Sequence, residues 1–485
     1  MEKATDSRWK PLLALLSGPL LFALTLLFNP FNLDMQANNV MAVALLMIAW
    51  WIAEALPMPA VALIPLVLFP LMGIAKISEA AAPYANEVVF LFMGGFLIGL
   101  GIEKWNLHRR IALSIVQYTG TNGNRIILGF ILATGFISMW LSNTATTMMM
   151  LPIAASVISV VVAKNENNPQ LRHFAVCMML AIAYASNFGG IATIIGTPPN
   201  VAYASYISKQ LNNDISFSAW MLIGLPVALL LLFSLYFVLI KLFPNSIDSN
   251  DEMRLLIKNE LNALGPMTIP EKRVLYIFIT TALLWIFRDL INQLGIVKLD
   301  DNMIAVFGGL LMFVVPAGRG IKQNERILVW SDTTKMAWGI LLLFGGGITL
   351  AAALEKAGLI KMLGVWLSGF SGSSVVFLVI AITIISLFIS EVMSNVAQVI
   401  VFAPVVMGIA MATGVDPYML GIPMTLAASC ASMMPMGTPP NAIVFSTGHL
   451  KLSEMMKAGL IMNLISIILI ILSGLFLVPF AIKYF

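Results

Sequence analysis

Charged side chains are the scarcest component of this 485-residue sequence. Only 10% of its residues are Asp, Glu, Lys or Arg, whereas 60% are apolar. A water-soluble protein of this length needs far more charge to cover its surface, so the soluble classes are excluded. The alternating ten-residue strands of a transmembrane barrel are also absent from the sequence. The composition therefore predicts an all-α polytopic membrane protein that has the lipid bilayer as its solvent.

Histidine and cysteine are almost as rare, with three and two copies. Cys177 and Cys430 both lie in apolar runs, where cysteine behaves as a small buried hydrophobe. No Cys/His spacing suits zinc, and no pattern supplies a positioned nucleophile and base. The sequence thus predicts no enzyme, no organic cofactor and no nucleic-acid partner. A membrane enzyme or a substrate sensor stays as a distant alternative.

Many apolar runs reach or approach the roughly 20 residues that a helix needs to cross a bilayer. The first run follows Lys3, Arg8 and Lys10 but lacks a small-residue cleavage pattern, so we interpret it as a retained span. About eleven spans are predicted, near residues 11–29, 39–55, 58–75, 86–107, 174–195, 217–240, 274–296, 303–316, 336–360, 419–436 and 456–482.

Two further apolar stretches, 126–163 and 374–413, each hold a polar Ser-Asn pair in the middle. Each stretch is long enough to enter the membrane and return on the same side, as a re-entrant hairpin. With this topology and the N-terminus inside, most of the 27 Lys and Arg residues fall on the inner side, as the positive-inside rule demands. Those on the outer side are Lys76, Lys209, Lys298, Lys356, Lys361 and Lys483.

The same topology predicts a cytoplasmic N-terminus and an external C-terminus. We expect the protein in a cell membrane, either a plasma or an inner membrane. The one long polar segment, 241–273, is predicted to be a cytoplasmic linker that holds a short amphipathic helix.

Charged residues inside spans are costly and often functional. Glu54 and the adjacent Arg288-Asp289 fall in this class, and for the latter two we favour structural pairing.

The two halves of the chain are related by a repeat. Three segments recur in the same order: FMGGFLIGLGIEKWNL (92–107) as FGGGITLAAALEKAGL (344–359), SNTATTMMMLP (142–152) as SNVAQVIVFAP (394–404), and IGTPPN (195–200) as MGTPPN (436–441). On the topology above, the first hairpin opens inward and the second outward. The halves therefore form a predicted inverted repeat, which is typical of secondary transporters.

Each GTPPN copy must interrupt a helix, because consecutive prolines remove two backbone donors and clash with the preceding turn. Interrupted backbone is tolerated at membrane depth only beside protein or a water-filled cavity. The carbonyls freed before Gly196 and Gly437 are thus candidate cation ligands. The amides of Asn200 and Asn441 have two interpretations, substrate binding or support of the interrupted backbone.

Each Ser-Asn pair is interpreted as the tip of its hairpin and the start of the following helix, because Ser, Asn and Thr are strong N-cap residues. The free amide groups of a helix start stabilise a carboxylate or sulfate without Lys or Arg. The preceding helix ends there, so its last carbonyls can bind Na⁺. Ser138 and Ser390 lie one turn earlier, where a hydroxyl adds to that cation site. The alternative is that the polar pair merely caps the helix.

At SNTATTMMMLP and the two GTPPN copies, the sequence resembles the divalent anion/sodium symporter family, over nearly the whole chain. The resemblance implies a homodimer in which each protomer has a scaffold domain and an elevator-type transport domain. The predicted division is 1–120 for N-terminal spans, mainly scaffold; 121–216 for the first hairpin and broken helix; 217–335 for scaffold spans with the linker 241–273; and 336–485 for the second repeat.

The resemblance also implies roles for individual residues. The predicted substrate ligands are Ser142, Asn143 and Thr144 from the first tip, Ser394 and Asn395 from the second, and Thr197, Pro198, Thr438 and Pro439 at the breaks. Two Na⁺ sites are implied. The first would use Ser138, Ser142, Asn143 and Gly196, and the second Ser390, Ser394, Asn395 and Gly437.

The second tip departs from the family pattern. Val396 stands where the family often has threonine, and Gln398 follows two residues later. The acid Glu391 lies three residues before Ser394. It has two interpretations, an effect on the second cation site or a carboxylate that faces water or a helix end. Both departures leave the identity of the substrate open.

The resulting hypothesis is Na⁺-coupled uptake of a C4-dicarboxylate of the succinate, malate and fumarate class. A compact dianion is favoured because the predicted site contains no arginine. Two alternatives of the same fold stay open. One is a sodium-independent dicarboxylate exchanger, and the other is a citrate or sulfate transporter.

Overall fold

The computed structural model describes residues 9–120, 122–162, 169–211, 213, 215–245, 251–295, 297–318, 325–360, 362 and 374–484. Within these ranges the regular elements are helices, and the one pairing of extended backbone is an isolated bridge between Pro316 and Arg326. The predicted all-α class is confirmed. Eight helices in the described ranges are long and apolar enough to cross a bilayer, which agrees with a multi-pass membrane protein.

The N-terminal region is helical where four spans are predicted, and one of these four is interrupted. Its helices are α1 (Trp9–Phe28), α2 (Met35–Ile52), α3 (Met58–Val61), α4 (Ile64–Leu71), α5 (Ile77–Ala81) and α6 (Glu87–Lys104), with a 3₁₀ turn at Ala82–Ala85. Asp34 caps α2 by accepting a bond of 2.8 Å from the Ala37 amide. The predicted span 58–75 is divided into α3 and α4 because it contains several prolines.

The sequence interpretation missed helix α7 (Leu107–Thr119), which is too short and too polar to cross a membrane. Its Arg110 binds Glu271 at 3.0 Å and the Gly265 carbonyl at 3.0 Å, and Arg109 pairs with Glu260. These partners all lie in the polar linker, which contains the predicted amphipathic helix, α13 (Asp251–Ala263). The linker is therefore fastened to α7.

The first hairpin stretch consists of α8 (Gly123–Ser138) and α9 (Asn143–Val162), which meet at a four-residue turn. It is followed by α10 (Pro169–Gly190) and α11 (Pro198–Leu211). The predicted span 174–195 is too long, because the helix ends at Gly190 and residues 191–197 are not helical. The break is thus wider than the GTPPN motif.

The middle of the chain comprises α12 (Phe217–Leu242), α13, α14 (Ile269–Gln293), α15 (Asp301–Val314) and α16 (Trp338–Lys356), with a 3₁₀ turn at Trp330–Lys335. Helix α15 packs along α6, and α12 packs on α10. The domain division given above stays a prediction.

The second half repeats the pattern of the first. Its helices are α17 (Val375–Ser390), α18 (Asn395–Thr413), α19 (Pro417–Ala428), α20 (Pro439–Ser446), α21 (Leu452–Leu472) and α22 (Val478–Ala481). The predicted span 419–436 is again too long, since residues 429–438 are not in an α-helix. The predicted last span, 456–482, contains a π-helical turn at Ser473–Leu477.

Arg288 and Asp289 form the structural pair that we favoured, with an additional partner that the sequence did not reveal. The Arg288 guanidinium lies 2.8 Å from Asp289 and 3.0 Å from Asp301. Asp301 also accepts a bond of 2.7 Å from the Phe217 amide. The cluster thereby joins α14, α15 and the start of α12, which explains charge at this depth without a transport role.

Gly94 sets the close contact between α6 and α15. A Cβ on Gly94 would lie 2.3 Å from backbone atoms of Ala305, whereas a Cβ on the neighbouring Gly95 would meet nothing closer than 3.6 Å. We expect Gly94→Ala to destabilise the protein by about 1–3 kcal/mol, since backbone must move to accept the methyl group. Gly95→Ala is the matched control. Thermal unfolding of the two purified variants tests this, and an equal loss in both would contradict it.

Candidate functional site

The two hairpin tips and the two helix breaks meet at one cavity of about 830 Å³. This is within the range of small-molecule sites. Both halves contribute to its wall. The predicted substrate residues that line it are Ser142, Asn143, Thr144, Thr197, Pro198, Ser394, Asn395, Thr438 and Pro439. The structure thus brings all of these residues to one place, although they are distant in sequence.

The first tip is built by a helix end and a helix start. Helix α8 ends at Ser138 and α9 begins at Asn143. The hydroxyl of Ser142 accepts a bond of 3.3 Å from the Ala145 amide, as an N-cap residue does. Because Asn143, Thr144 and Ala145 line the cavity, the start of α9 presents its amide groups and the positive end of its dipole there.

The second tip has the same construction with one difference. Helix α17 ends at Ser390 and α18 begins at Asn395, with Ser394 in the extended N-cap conformation. The Ser394 side chain makes no capping bond. Its hydroxyl is therefore available to a molecule in the cavity, which Ser394 lines.

Each tip carries a compact group of oxygen atoms behind the cavity wall. The Ser138 hydroxyl lies 2.9 Å from Asn143 Oδ1 and 2.7 Å from the Ser186 carbonyl. In the second half, the Ser390 hydroxyl lies 2.8 Å from Asn395 Oδ1 and bonds the Ala428 carbonyl. Each hydroxyl has one proton for two acceptors. Such an excess of oxygen acceptors suits a cation.

The breaks themselves come close to these oxygen groups. A Cβ on Gly196 would lie 3.0 Å from the Met139 carbonyl of the first tip, and one on Gly437 would lie 3.4 Å from the Ser390 carbonyl of the second. Both glycines therefore sit against the tip of their own half. Of the predicted cation ligands, Ser138, Ser390 and Gly196 lie outside the cavity lining, whereas the others line it.

Asn200 and Asn441 support the interrupted backbone, which was one of their two interpretations. The Asn200 amide donates to the carbonyls of Thr193 at 2.8 Å and Gly190 at 3.4 Å. The Asn441 amide does the same with Met434 at 3.1 Å and Ala431 at 3.4 Å. Both side chains are fully buried. Each replaces helix bonds that the prolines remove.

Glu391 faces a helix break rather than water. It is 4% exposed. Its carboxylate accepts bonds from three consecutive backbone amides, those of Ser432, Met433 and Met434, at 2.9–3.1 Å. The Asn463 side chain donates a further bond of 2.6 Å. The helix-end interpretation of Glu391 therefore agrees with its contacts, and four donors compensate its burial.

Asn187 is a cavity residue that the sequence interpretation missed. Its amide donates to Thr438 Oγ1 at 3.0 Å, and its Oδ1 lies 3.5 Å from the Asn143 amide. It joins the first tip to the second break. No sequence motif marks Asn187, because it lies within α10, three residues before the end of that helix, and has no repeat counterpart of the same type.

Val396 and Gln398 have different surroundings in the structure. Val396 lines the cavity beside Ser394 and Asn395. Gln398 is fully buried and donates 2.7 Å bonds to Ser386. Gln398 therefore does not restore the hydroxyl that Val396 lacks, and the second tip is less polar than the first.

Charge is confined to the rim of the cavity. Within the described residues, its lining contains Glu54, Glu103 and Lys335, and the first and last of these are exposed. Glu54, which the sequence placed among the costly intramembrane charges, thus reaches the rim. The tips contribute amides and hydroxyls instead of ionised groups, so an anion would be bound there by neutral dipoles.

Paired hairpins and broken helices that meet at a shared polar cavity define a secondary-transporter architecture. Two solved structures are similar in fold. The YdaH transporter of Alcanivorax borkumensis has a TM-score of 0.56 and 14% identity over 89% of this chain and 97% of its own. MtrF of Neisseria gonorrhoeae, described among antimetabolite efflux pumps, has a TM-score of 0.53 and 12% identity over 84% and 83%.

Sequence comparison is more specific. The family model described as the sodium:sulfate symporter transmembrane region matches residues 6–481. The sodium-dependent dicarboxylate transporters SdcS of Staphylococcus saprophyticus and Staphylococcus aureus are each 39% identical over 475 residues, which is 96% of this chain and 91% of theirs. The chain therefore belongs to the divalent anion/sodium symporter family, and the resemblance seen in its motifs is confirmed.

The role of Asn200 gives a stability prediction. We expect Asn200→Ala to lower the free energy of unfolding by about 1–3 kcal/mol, because two buried carbonyls lose their donor. Ser205→Ala on the same helix is the control. The Ser205 hydroxyl is buried and has no hydrogen-bond partner among the described residues. Thermal unfolding in detergent measures both variants. A loss for Ser205→Ala as large as for Asn200→Ala would count against the bracing role.

Proposed function

We propose that this protein is a secondary active transporter that couples inward Na⁺ movement to uptake of a C4-dicarboxylate such as succinate, malate or fumarate. The observation that carries the proposal is the cavity between two helix starts, each backed by a group of oxygen atoms. The sodium-dependent dicarboxylate transporters at 39% identity support the same substrate and ion.

The substrate would bind between the tips. One carboxylate would face the amides and hydroxyls of Ser142, Asn143 and Thr144, and the other those of Ser394 and Asn395. Thr197 and Thr438 approach from the breaks, beside Pro198 and Pro439. Two helix dipoles that point at one small cavity suit two negative charges on one short molecule. A tricarboxylate would place its third charge against Val396 or the uncharged cavity wall.

Sodium would occupy the two oxygen groups, one behind each tip. The first would use Ser138, Ser142, Asn143 and Gly196, and the second Ser390, Ser394, Asn395 and Gly437. Because Asn143 and Asn395 belong both to an oxygen group and to the cavity wall, an ion would orient a substrate-binding side chain. These two shared asparagines are the physical basis that we propose for coupling ion binding to anion binding.

The rim residues Glu54, Glu103 and Lys335 lie on the side that the distribution of Lys and Arg assigns to the cytoplasm. We propose that the structure is an inward-open state in a plasma or inner membrane, with the N-terminus inside. Transport would proceed by elevator movement of the tips and breaks against a scaffold held in a homodimer.

Two alternative functions would use the same cavity. One is a sodium-independent exchanger, and the other is a citrate or sulfate carrier.

The coupling is tested with the purified protein in liposomes. We expect uptake of labelled succinate into empty vesicles in an inward Na⁺ gradient, and little uptake in choline. Uptake that requires internal dicarboxylate but not Na⁺ would establish exchange instead. Thermal stabilisation by succinate, malate, 2-oxoglutarate, citrate and sulfate, each in Na⁺ and in choline, ranks the substrates.

The tip asparagines give the sharpest test of the site. We expect Asn143→Ala and Asn395→Ala each to reduce Na⁺-driven succinate uptake at least about a hundredfold, because each change removes a group shared by the ion and the anion. Asn262→Ala, on the exposed face of α13, is the control with the same chemical change. Folding is checked by size-exclusion profile and melting temperature. Near-normal uptake by both tip variants would reject the site.

A further inference from the structure

The two halves fasten their breaks to their tips by different chemistry. In the first half, the Thr193 hydroxyl bonds the backbone carbonyl of Met139. Met139 and Glu391 occupy equivalent positions, each directly after the last residue of the helix before the tip. In the second half, the side chain of Glu391 is the acceptor at the equivalent position. It accepts bonds from four donors, three in the break and one in α21.

The same difference appears at Gly196 and Gly437, the two glycines of the repeated GTPPN motif. The point where a Cβ of Gly437 would lie is 3.3 Å from Glu391 Oε2, 3.4 Å from the Met434 carbonyl and 3.4 Å from the Ser390 carbonyl. The corresponding point over Gly196 is close to two backbone carbonyls, those of Gly190 and Met139. Oxygens therefore converge on both glycines, but a carboxylate is among them only in the second half.

The Glu391 charge has no cationic partner among the described residues. Its near neighbours are backbone amides, the Asn463 amide and the oxygen atoms around Gly437. A buried negative charge held by neutral donors leaves a negative potential in its surroundings, because amide dipoles solvate the charge without cancelling it. The oxygen group of Ser390 and Asn395 begins at the adjacent residue.

We infer that Glu391 is a positioning residue that makes the second Na⁺ site the stronger of the two. Its carboxylate holds the backbone of residues 432–434 against the tip, which places Gly437 and the Ser390 carbonyl beside the ion. Its charge adds attraction that the first site lacks. Since all four donors already bind it, Glu391 acts through the surrounding ligands rather than as a ligand. The inference rests on the proposed Na⁺ coupling.

The test is a Na⁺ titration of thermal stability, with choline keeping the ionic strength constant. We expect Glu391→Gln to raise the Na⁺ concentration for half-maximal stabilisation roughly tenfold or more, as loss of an outer-shell partner does at other metal sites. Succinate affinity at saturating Na⁺ should change much less. The second variant is Asn463→Ser, which removes one donor but keeps the charge, and should shift the half-point in the same direction by a smaller factor.

Glu271→Gln is the matched control. Glu271 is also a buried glutamate, 4% exposed, held by Arg110 and by the Thr268 amide far from the cavity. It should lower the melting temperature without moving the Na⁺ half-point. If Glu271→Gln shifted the Na⁺ half-point as much as Glu391→Gln does, the shift would reflect general loss of stability. That result would overturn the inference.

The remaining outcomes separate the two proposals. No Na⁺ stabilisation of the unmodified protein would reject the proposed sodium coupling itself. Stabilisation of the unmodified protein with an unchanged half-point in Glu391→Gln would leave the coupling intact and overturn the role of Glu391. If Glu391→Gln does not fold, the half-point of Asn463→Ser decides, and an unchanged value there rejects the inference.

Discussion

The need to bond every backbone group in an apolar surrounding governs this structure. Helices satisfy that need internally, so each interruption must obtain partners from elsewhere. The two breaks obtain them from buried side chains, chiefly the paired amides of Asn200 and Asn441. The same interruptions expose carbonyls and helix starts that continuous helices would hide. A polar cavity inside an apolar protein is therefore a consequence of how its breaks are supported.

The tips contain no Lys or Arg, and this bears on the proposed function. A fixed cation at the tips would bind a dianion at every stage, whether or not Na⁺ was present. Amides and hydroxyls bind more weakly by themselves, and their orientation depends on what their other atoms contact. Asn143 and Asn395 illustrate this, since one side chain faces both the cavity and the oxygen group behind it. In the proposed function, neutral ligands would make anion binding at the tips depend on the ion.

The repeat is symmetric in its helices but not in its chemistry. The first half contributes Thr144 and Asn187 to the cavity, and the second contributes the apolar Val396. The second half instead has Glu391 and Asn463 behind its break. If the proposed sites are occupied, the two halves would therefore differ in character, one being more polar toward the anion and the other more negative toward the cation.

The sequence by itself determined the membrane class, the paired tips and the position of the prolines that break two helices, because composition, duplication and proline act locally. It did not determine where the breaks begin. Gly190 and Ala428 terminate their helices several residues before GTPPN, since Asn200 and Asn441 reach back across the gap. It also gave no sign of α7 as a helix, of Asn187 in the cavity or of Asp301 beside Arg288. Those features depend on contacts between residues far apart in the chain, which only the tertiary structure brings within bonding distance.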